Sequence, residues 1–487
     1  MPNLLFMRLR VQLTSLAMLA GCASAAAVPA DPPSSASPSA AALPTTAPHV
    51  AANEVARLRA LGPAALTPLF ARWDAMPASA ARDELARTID AVAGQRYATI
   101  SRMYWYTDLV SASAVAKALN KPILALRMLG RLDEDLSCAN SRLFRSTLYA
   151  NTEVSAFLRD NFVLFWSSER DVPRVTIDFG DGRRLEGTTT GNSAHYVLTA
   201  DGTVIDVLPG LYAPKAFQAE LTKTLALARK VAKLGPAQRS NAIEEYHRTA
   251  IDDTARTWQE VSKLVYIEDR GVLLGKNDVA SALEQAQLAT VSKSYIEVPA
   301  LAQIAAGVDP GELAEETTSQ WAAIGQYAWQ IGDAFVAEAP ADKKQSRELA
   351  LAISMGQTWR IRRSRGSRMW RLINFFDPNT LPVVLDPGSR ALVTALHQGG
   401  PIKTTPTELG MMLARLEHHL VADSALNQFK LRPLIHRRLA RNENRSLDAV
   451  NTFVYDEVFH TPRQDAWLGL LPRTDFTGLP GDGVVMP

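Results

Sequence analysis

Between residues 51 and 98, apolar side chains recur at three- and four-residue spacing. "NEVARLRALGPAALTPLFARWDAM" carries Leu58, Leu61, Leu66 and Phe70 on that rhythm, and "SAARDELARTIDAVAG" continues it. A period near 3.6 is that of a helix burying one face, so a helical lead-in is expected here, broken at Gly62-Pro63. From about residue 100 the rhythm changes. Helix-like "SASAVAKALN" is followed by the short apolar run "KPILALRML", and helix-like "NTEVSAFLRD" by "NFVLFW". "RVTIDF" and "RRLEGTTT" flank Gly180-Asp181-Gly182, and "AHYVLTADGTVIDVLPG" turns at Asp201-Gly202. Alternation of period two around a glycine turn predicts hairpins. With the closing helix "PKAFQAELTKTLALARKVAKL", residues 99–234 read as an α/β domain.

From 235 to about 465 the pattern is helical almost throughout, as in "NAIEEYHRTAIDDTARTWQEVSKLV", "VASALEQAQLATVSKS", "ELAEETTSQWAAIGQYAWQIGDAFVAEA" and "TELGMMLARLEHHLVADSALNQF". No repeat of fixed length appears, so a regular solenoid is not expected. The tail is rich in aromatics and turn residues, and Trp467, Leu468 and Leu470 are expected to pin it to a helical surface. The expected fold class is thus an α/β domain followed by a larger all-α C-terminal domain over 235–487, in a multidomain chain. A length of 487 residues agrees, being too great for one ordinary core.

The N-terminus departs from both rhythms. A basic start, "MPNLLFMRLR", leads into the apolar "VQLTSLAML" and ends at Cys22. That run is well short of the ~20 residues that span a bilayer as a helix. Leu19-Ala20-Gly21-Cys22 resembles the lipobox of bacterial lipoproteins. The resemblance implies removal of residues 1–21, diacylation of the Cys22 thiol and acylation of the new amino group, a multiple-chain anchor to the membrane. Residue 23 is alanine, which by the same resemblance implies outer-membrane sorting, facing the periplasm, in a cell that has an outer membrane. After Cys22, residues 23–50 are mostly Ala, Pro and Ser; such a segment cannot offset the entropy of ordering it and reads as a tether. Charge then narrows the partners. Lys+Arg number 52 against 50 Asp+Glu, and loss of Arg8 and Arg10 with the leader leaves a balanced chain. Balance gives no global electrostatic case for nucleic acid, and none is expected as a partner.

"KPILALRML", a cysteine opening a helix, "EVSAFLRDNFVLFW" and "HYVLTADGTVIDVLPGLYAPKAF" resemble, in that order, the thioredoxin-like superfamily. The resemblance covers about a quarter of the chain. It implies a thioredoxin-like fold for residues 99–234 and places Cys138-Ala139-Asn140-Ser141 at the active-site C-x-x-C position, with serine last. Helix N-termini stabilise thiolates, so Cys138 is the candidate attacking thiol and Ser141 the group that would orient or hydrogen-bond it. With serine in the motif's last position the site has no resolving thiol of its own, so a monothiol exchange is chemically possible and a self-contained dithiol reductase is not. The preceding loop "LGRLDEDLS" is longer than the usual connection. Its Asp133, Glu134 and Asp135 would disfavour a thiolate, and Arg127, Arg131, Arg142 and Arg145 could offset them. The position where redox-active relatives carry a cis-proline falls near Ser193, and there is no proline there. Asn192, Ser193 and His195 are the expected neighbours of Cys138, with His195 a possible base. Two roles remain open for Cys138, a reactive monothiol or a packed interior residue. Two function classes follow: thiol–disulfide exchange on envelope proteins, or a non-catalytic binding or assembly protein.

"WRIRRSRGSRMWRLINFF" interleaves Arg360, Arg362, Arg363, Arg365, Arg368 and Arg371 with Trp359, Trp370 and Phe375. Such a patch suits anionic lipid head groups or cell-wall carboxylates, or else a solvated face. Glu417, His418, His419 and His436 lack the i, i+3 or i+4 spacing of a helical metal face, and neither metal nor cofactor is expected. In cells supplied with labelled palmitate, the chain is expected to take up label and to sediment with membranes. Cys22→Ala is expected to lose both, and a labelled Cys22→Ala chain would refute the anchor.

Overall fold

The lead-in rhythm resolves into α1 (Ala52–Ala60), α2 (Leu66–Ala75) and α3 (Ala80–Ala93). Gly62 (φ +67°) and Pro63 separate the first two, glycine taking the left-handed turn and proline lacking the N–H that a continuing helix requires. Ser79 caps α3, accepting from the Arg82 amide at 3.3 Å. The faces of these helices meet in a small core of Leu66, Leu85, Ile89, Val92 and Tyr104. The computed structural model describes residues 52–189, 191–265, 321–331, 383–401 and 403–461, with Gln464, Trp467, Pro480 and Val484, all within one compact unit, Pro48–Pro487.

Next come α4 (Ala98–Ser101), α5 (Leu109–Leu119), β1 (Ile123–Met128), α6 (Ala139–Leu143), α7 (Thr152–Asn161) and β2 (Val163–Ser168). A separate ribbon, β3 (Arg174–Asp178) with β4 (Arg184–Thr188), precedes β5 (Ala194–Leu198) and β6 (Val204–Pro209). The main sheet runs β2-β1-β5-β6. β1 and β2 are parallel (Leu124 opposite Leu164), β5 is antiparallel to β1 (Ala125 opposite Tyr196), and β6 is antiparallel to β5. Tyr106 adds one parallel bridge outside β2, to Phe165. Every residue of β5 and β6 is buried. Successive strand residues point to opposite faces, so both faces of the sheet are covered.

The covering helices include α8 (Pro214–Val231) and α9 (Pro236–Val265), then α10 (Pro387–Gln398), α11 (Pro406–Leu426), α12 (Arg432–Leu439) and α13 (Leu447–Phe453). The described residues are therefore mixed α/β with a helical C-terminal region. One hydrophobic core runs through both, from Met103 and the sheet to Trp258, Leu420, Phe429 and Val454. Polar side chains stitch the two together: Tyr196 donates to Asn451 Oδ1 (2.8 Å) and Asn427 to the Leu211 carbonyl (2.7 Å). Among the described residues no helix is long and apolar enough to cross a membrane.

The strongest stitch is ionic. Arg432, at the start of α12, meets Asp206 of β6 (2.5 Å) and Glu220 of α8 (2.6 Å), all three nearly inaccessible to solvent. Burial works against ionising Glu220, yet Arg432 and Lys223 hold its carboxyl below the usual carboxylate range. Arg432→Met would leave two carboxylates buried without this cation, a change that costs about 3–5 kcal/mol. A urea titration followed by far-UV circular dichroism is expected to show that loss, and an unchanged midpoint would contradict it.

Candidate functional site

Cys138 is the residue at the N-terminal boundary of α6, a helix of only five residues that passes directly into a π-helical turn, Phe144–Leu148. Backbone bonds place it: its amide donates to Leu129 at the end of β1 (3.3 Å), and Gly130 takes φ +74° while donating to the Arg170 carbonyl (2.8 Å). The long loop that precedes it is clamped from below by Arg145. That buried guanidinium donates to the Leu132 carbonyl (3.0 Å), the Glu134 carbonyl and the Ser137 hydroxyl (3.1 Å). Burial disfavours charge on Arg145, and the backbone carbonyls receive it in place of water. The loop carboxylates are occupied elsewhere. Arg131 pairs with Asp133 (2.7 Å) and Glu134 (3.2 Å), and Arg96 with Asp135 (2.9 Å). Of the other arginines expected to offset them, Arg127 is committed to Glu169 and Asp448.

The structure brings Cys138 and Ser193 together, with Sγ 3.1 Å from the Ser193 hydroxyl. Ser141 does not take the part expected of it. Its hydroxyl is 2.7 Å from that of Ser137, because the turn of α6 carries it toward the loop, and Ser193 is the residue on the thiol. Asn192 lies in the same strand-entry segment, its carbonyl accepting from Tyr455 of the C-terminal region (3.0 Å). Gly191 closes the cover: a Cβ added there would stand 2.0 Å from the Cβ of Cys138, so backbone lies directly against the cysteine. The thiol is 0 % exposed. Asn140, second in the run after Cys138, is also fully buried, and neither atom of its amide has a partner.

His195, expected as a possible base, spends its hydrogen bond on Tyr149, Nε2 to hydroxyl 2.7 Å. Its ring packs between Phe144 (4.7 Å) and Phe217 (4.9 Å). Burial depresses its pKa to about 3, so it is a neutral interior imidazole. His418 and His419 lie on α11, and burial depresses them to about 4 and about 3, His418 and Arg415 adding to the effect on His419. Glu417 accepts from Arg390 (2.7 Å) and from the Leu385 amide (3.1 Å). Cys22 and the arginines 360, 362, 363, 365, 368 and 371 lie outside the described residues.

A second polar cluster has no counterpart in the expectations. Asp206, His247 and His436 are all buried, and one ligand-type atom from each lies within 4.8 Å of the others. The Nδ1 atoms of the two histidines are 2.8 Å apart, and His247 Nε2 donates to the Ile205 carbonyl (2.8 Å). These residues come from β6, α9 and α12, so no local spacing marks them. The only available signal was the rarity of histidine, eight in the chain, with one in each of two amphipathic helices. No family model, curated protein or solved structure matches the chain.

The neutral interior imidazoles set an acid limit. His195, His418 and His419 are uncharged in the fold but take a proton at about pH 6.5 once the chain unfolds. Their contribution is intact above that pH and is lost as pH falls toward about 4 and about 3, by about 1.4 kcal/mol per pH unit for each group. Asp90, raised to about 6 by burial, and Glu417, also raised by burial, oppose them as pH falls, while burial lowers His247 and His436 in the same sense as the three. Urea midpoints measured from pH 7.5 down to 4.5 are expected to fall steadily, with a shallower fall in His195→Gln. A flat profile would show the imidazoles open to solvent.

Proposed function

We propose that this chain is a lipid-anchored protein of the cell envelope, held by Cys22. In this reading its thioredoxin-like domain is a non-catalytic scaffold for binding or assembly, not a thiol–disulfide exchanger. The observation that carries the reading is the sealing of Cys138. A thiol that exchanges disulfides must reach the incoming sulfur in line, and this one is inaccessible, bonded to Ser193 and roofed by the Gly191 backbone. Support for a thioredoxin-like fold comes from the sheet. A parallel β1–β2 pair is joined through α6 and α7, with an antiparallel β5–β6 hairpin on the other side of β1 and a helix after it, the order of elements the resemblance implies. In this reading Ser193 stands near the position where the resemblance implies a cis-proline, and its hydroxyl lies 3.1 Å from the thiol. The arginine cluster at 360–371 supplies the contact surface in this reading, for envelope proteins, anionic head groups or cell-wall carboxylates.

Alkylation of Cys138 decides between scaffold and exchanger. In a Cys22→Ala chain, iodoacetamide is expected to label Cys138 at least 100-fold (about two orders of magnitude) more slowly in the folded state than in urea, in line with a closed opening equilibrium. Fast native labelling with a midpoint well below the ordinary thiol value of about 8.5 would replace the scaffold with monothiol exchange.

A further inference from the structure

The geometry points to a transition-metal site of the zinc type formed by Asp206, His247 and His436, distinct from the Cys138 region and independent of the reading given to it. Three elements far apart in the chain, β6, α9 and α12, converge to place one carboxylate and two imidazoles in the protein interior, each residue no more than 1 % exposed. Two nitrogens and one oxygen are a donor set of intermediate softness. Zinc and its neighbours accept such a set, whereas calcium and magnesium call for oxygen shells.

The surroundings orient the donors as metal sites do. The Nε2–H of His247 donates to the Ile205 carbonyl at 2.8 Å, which fixes the tautomer and turns the Nδ1 lone pair into the cluster. The Asp206 carboxylate is held by four donors: Arg432 (2.5 Å), the Thr224 hydroxyl (2.8 Å) and, more loosely, the Tyr246 hydroxyl (3.5 Å) on Oδ2, and the Val207 amide (2.8 Å) on Oδ1. Charge points the same way. Asp206 and Glu220 place two carboxylates at this depth against one fully buried cation, Arg432, while Lys223, which reaches the other Glu220 oxygen, is 60 % exposed.

Without metal, the two Nδ1 atoms at 2.8 Å share one proton, carried by His436 because the His247 proton sits on Nε2. Binding a dication breaks that N–H···N bond. His436 moves its proton from Nδ1 to Nε2, both Nδ1 lone pairs turn to the ion, and no net proton is released. Bonds of about 2.0–2.1 Å in tetrahedral array, with a water that enters with the ion as fourth ligand, require donors about 3.3 Å apart, so the rings separate by roughly half an ångström. The ion would then bolt α9 and α12 to β6.

The test uses the untagged full-length protein in detergent, stripped with chelator and dialysed against zinc sulfate, with bound metal measured by mass spectrometry. One equivalent is expected in wild type, and Co²⁺ in its place is expected to give the intense visible d–d bands of a four-coordinate site with nitrogen donors. His436→Gln and Asp206→Asn, checked for wild-type circular dichroism, are expected to bind at least about 100-fold more weakly. Folded wild type that retains no zinc and gives only the pale spectrum of aqueous Co²⁺ would overturn the site, leaving a hydrogen-bonded histidine pair. Equal zinc retention by a folded His436→Gln variant would also overturn it. The cobalt spectrum of wild type decides the matter even if both variants fail to fold.

Discussion

The guanidinium of Arg432 is the interaction on which the architecture turns. It sits at the junction of the sheet, α8 and the C-terminal helices and bonds one carboxylate from each of two elements. Removing charges from water is costly, and the pairings recover that cost only if all three side chains arrive in register. Apolar burial would accept many slid or rotated placements of α12 on β6; this triad accepts one. The same contact holds Asp206 in place beside the two histidines, with Arg432, Thr224 and Tyr246 all on its Oδ2.

The surroundings of Cys138 follow a different logic. Its neighbours are polar and numerous, yet they are turned toward each other: Ser137 with Ser141, Ser193 with the thiol, Arg145 with loop carbonyls. A polar interior whose donors and acceptors are mutually satisfied is rigid, because opening any pair exposes an unpaired group to a low-dielectric interior. Asn140 is the largest exception, a buried amide with no partner beside a sealed cysteine, and Arg145 Nε and His195 Nδ1 are unpartnered as well. A site built for exchange would hold its thiol at the end of this network. Here Gly191 and Ser193 place it inside, which is the physical basis for proposing a scaffold.

Much of the architecture was legible in local pattern. The break at Gly62-Pro63, the strands in "KPILALRML" and "NFVLFW", and the turns at Gly180-Asp181-Gly182 and Asp201-Gly202 were readable because helix and strand periods depend on neighbours in sequence. The segment facing Cys138 was anticipated only through the resemblance, which put the residues around Ser193 across from the thiol. By itself, then, the sequence determined which segments are helix or strand and which cysteine stands at a helix start.

Tertiary structure alone decided the rest. Whether the thiol is open depends on the Gly191 backbone and on Tyr455, whose hydroxyl holds Asn192 from 263 residues away. Whether Ser141 or Ser193 bonds Sγ depends on the rotation of one short helix. The meeting of His247 and His436 depends on two helices docking on one strand, and residues 189 positions apart leave no periodic trace. Periodicity records which face of an element avoids water. It carries no record of which distant side chain fills the space opposite, and that pairing is what buries a cysteine or brings two histidines and an aspartate to one point.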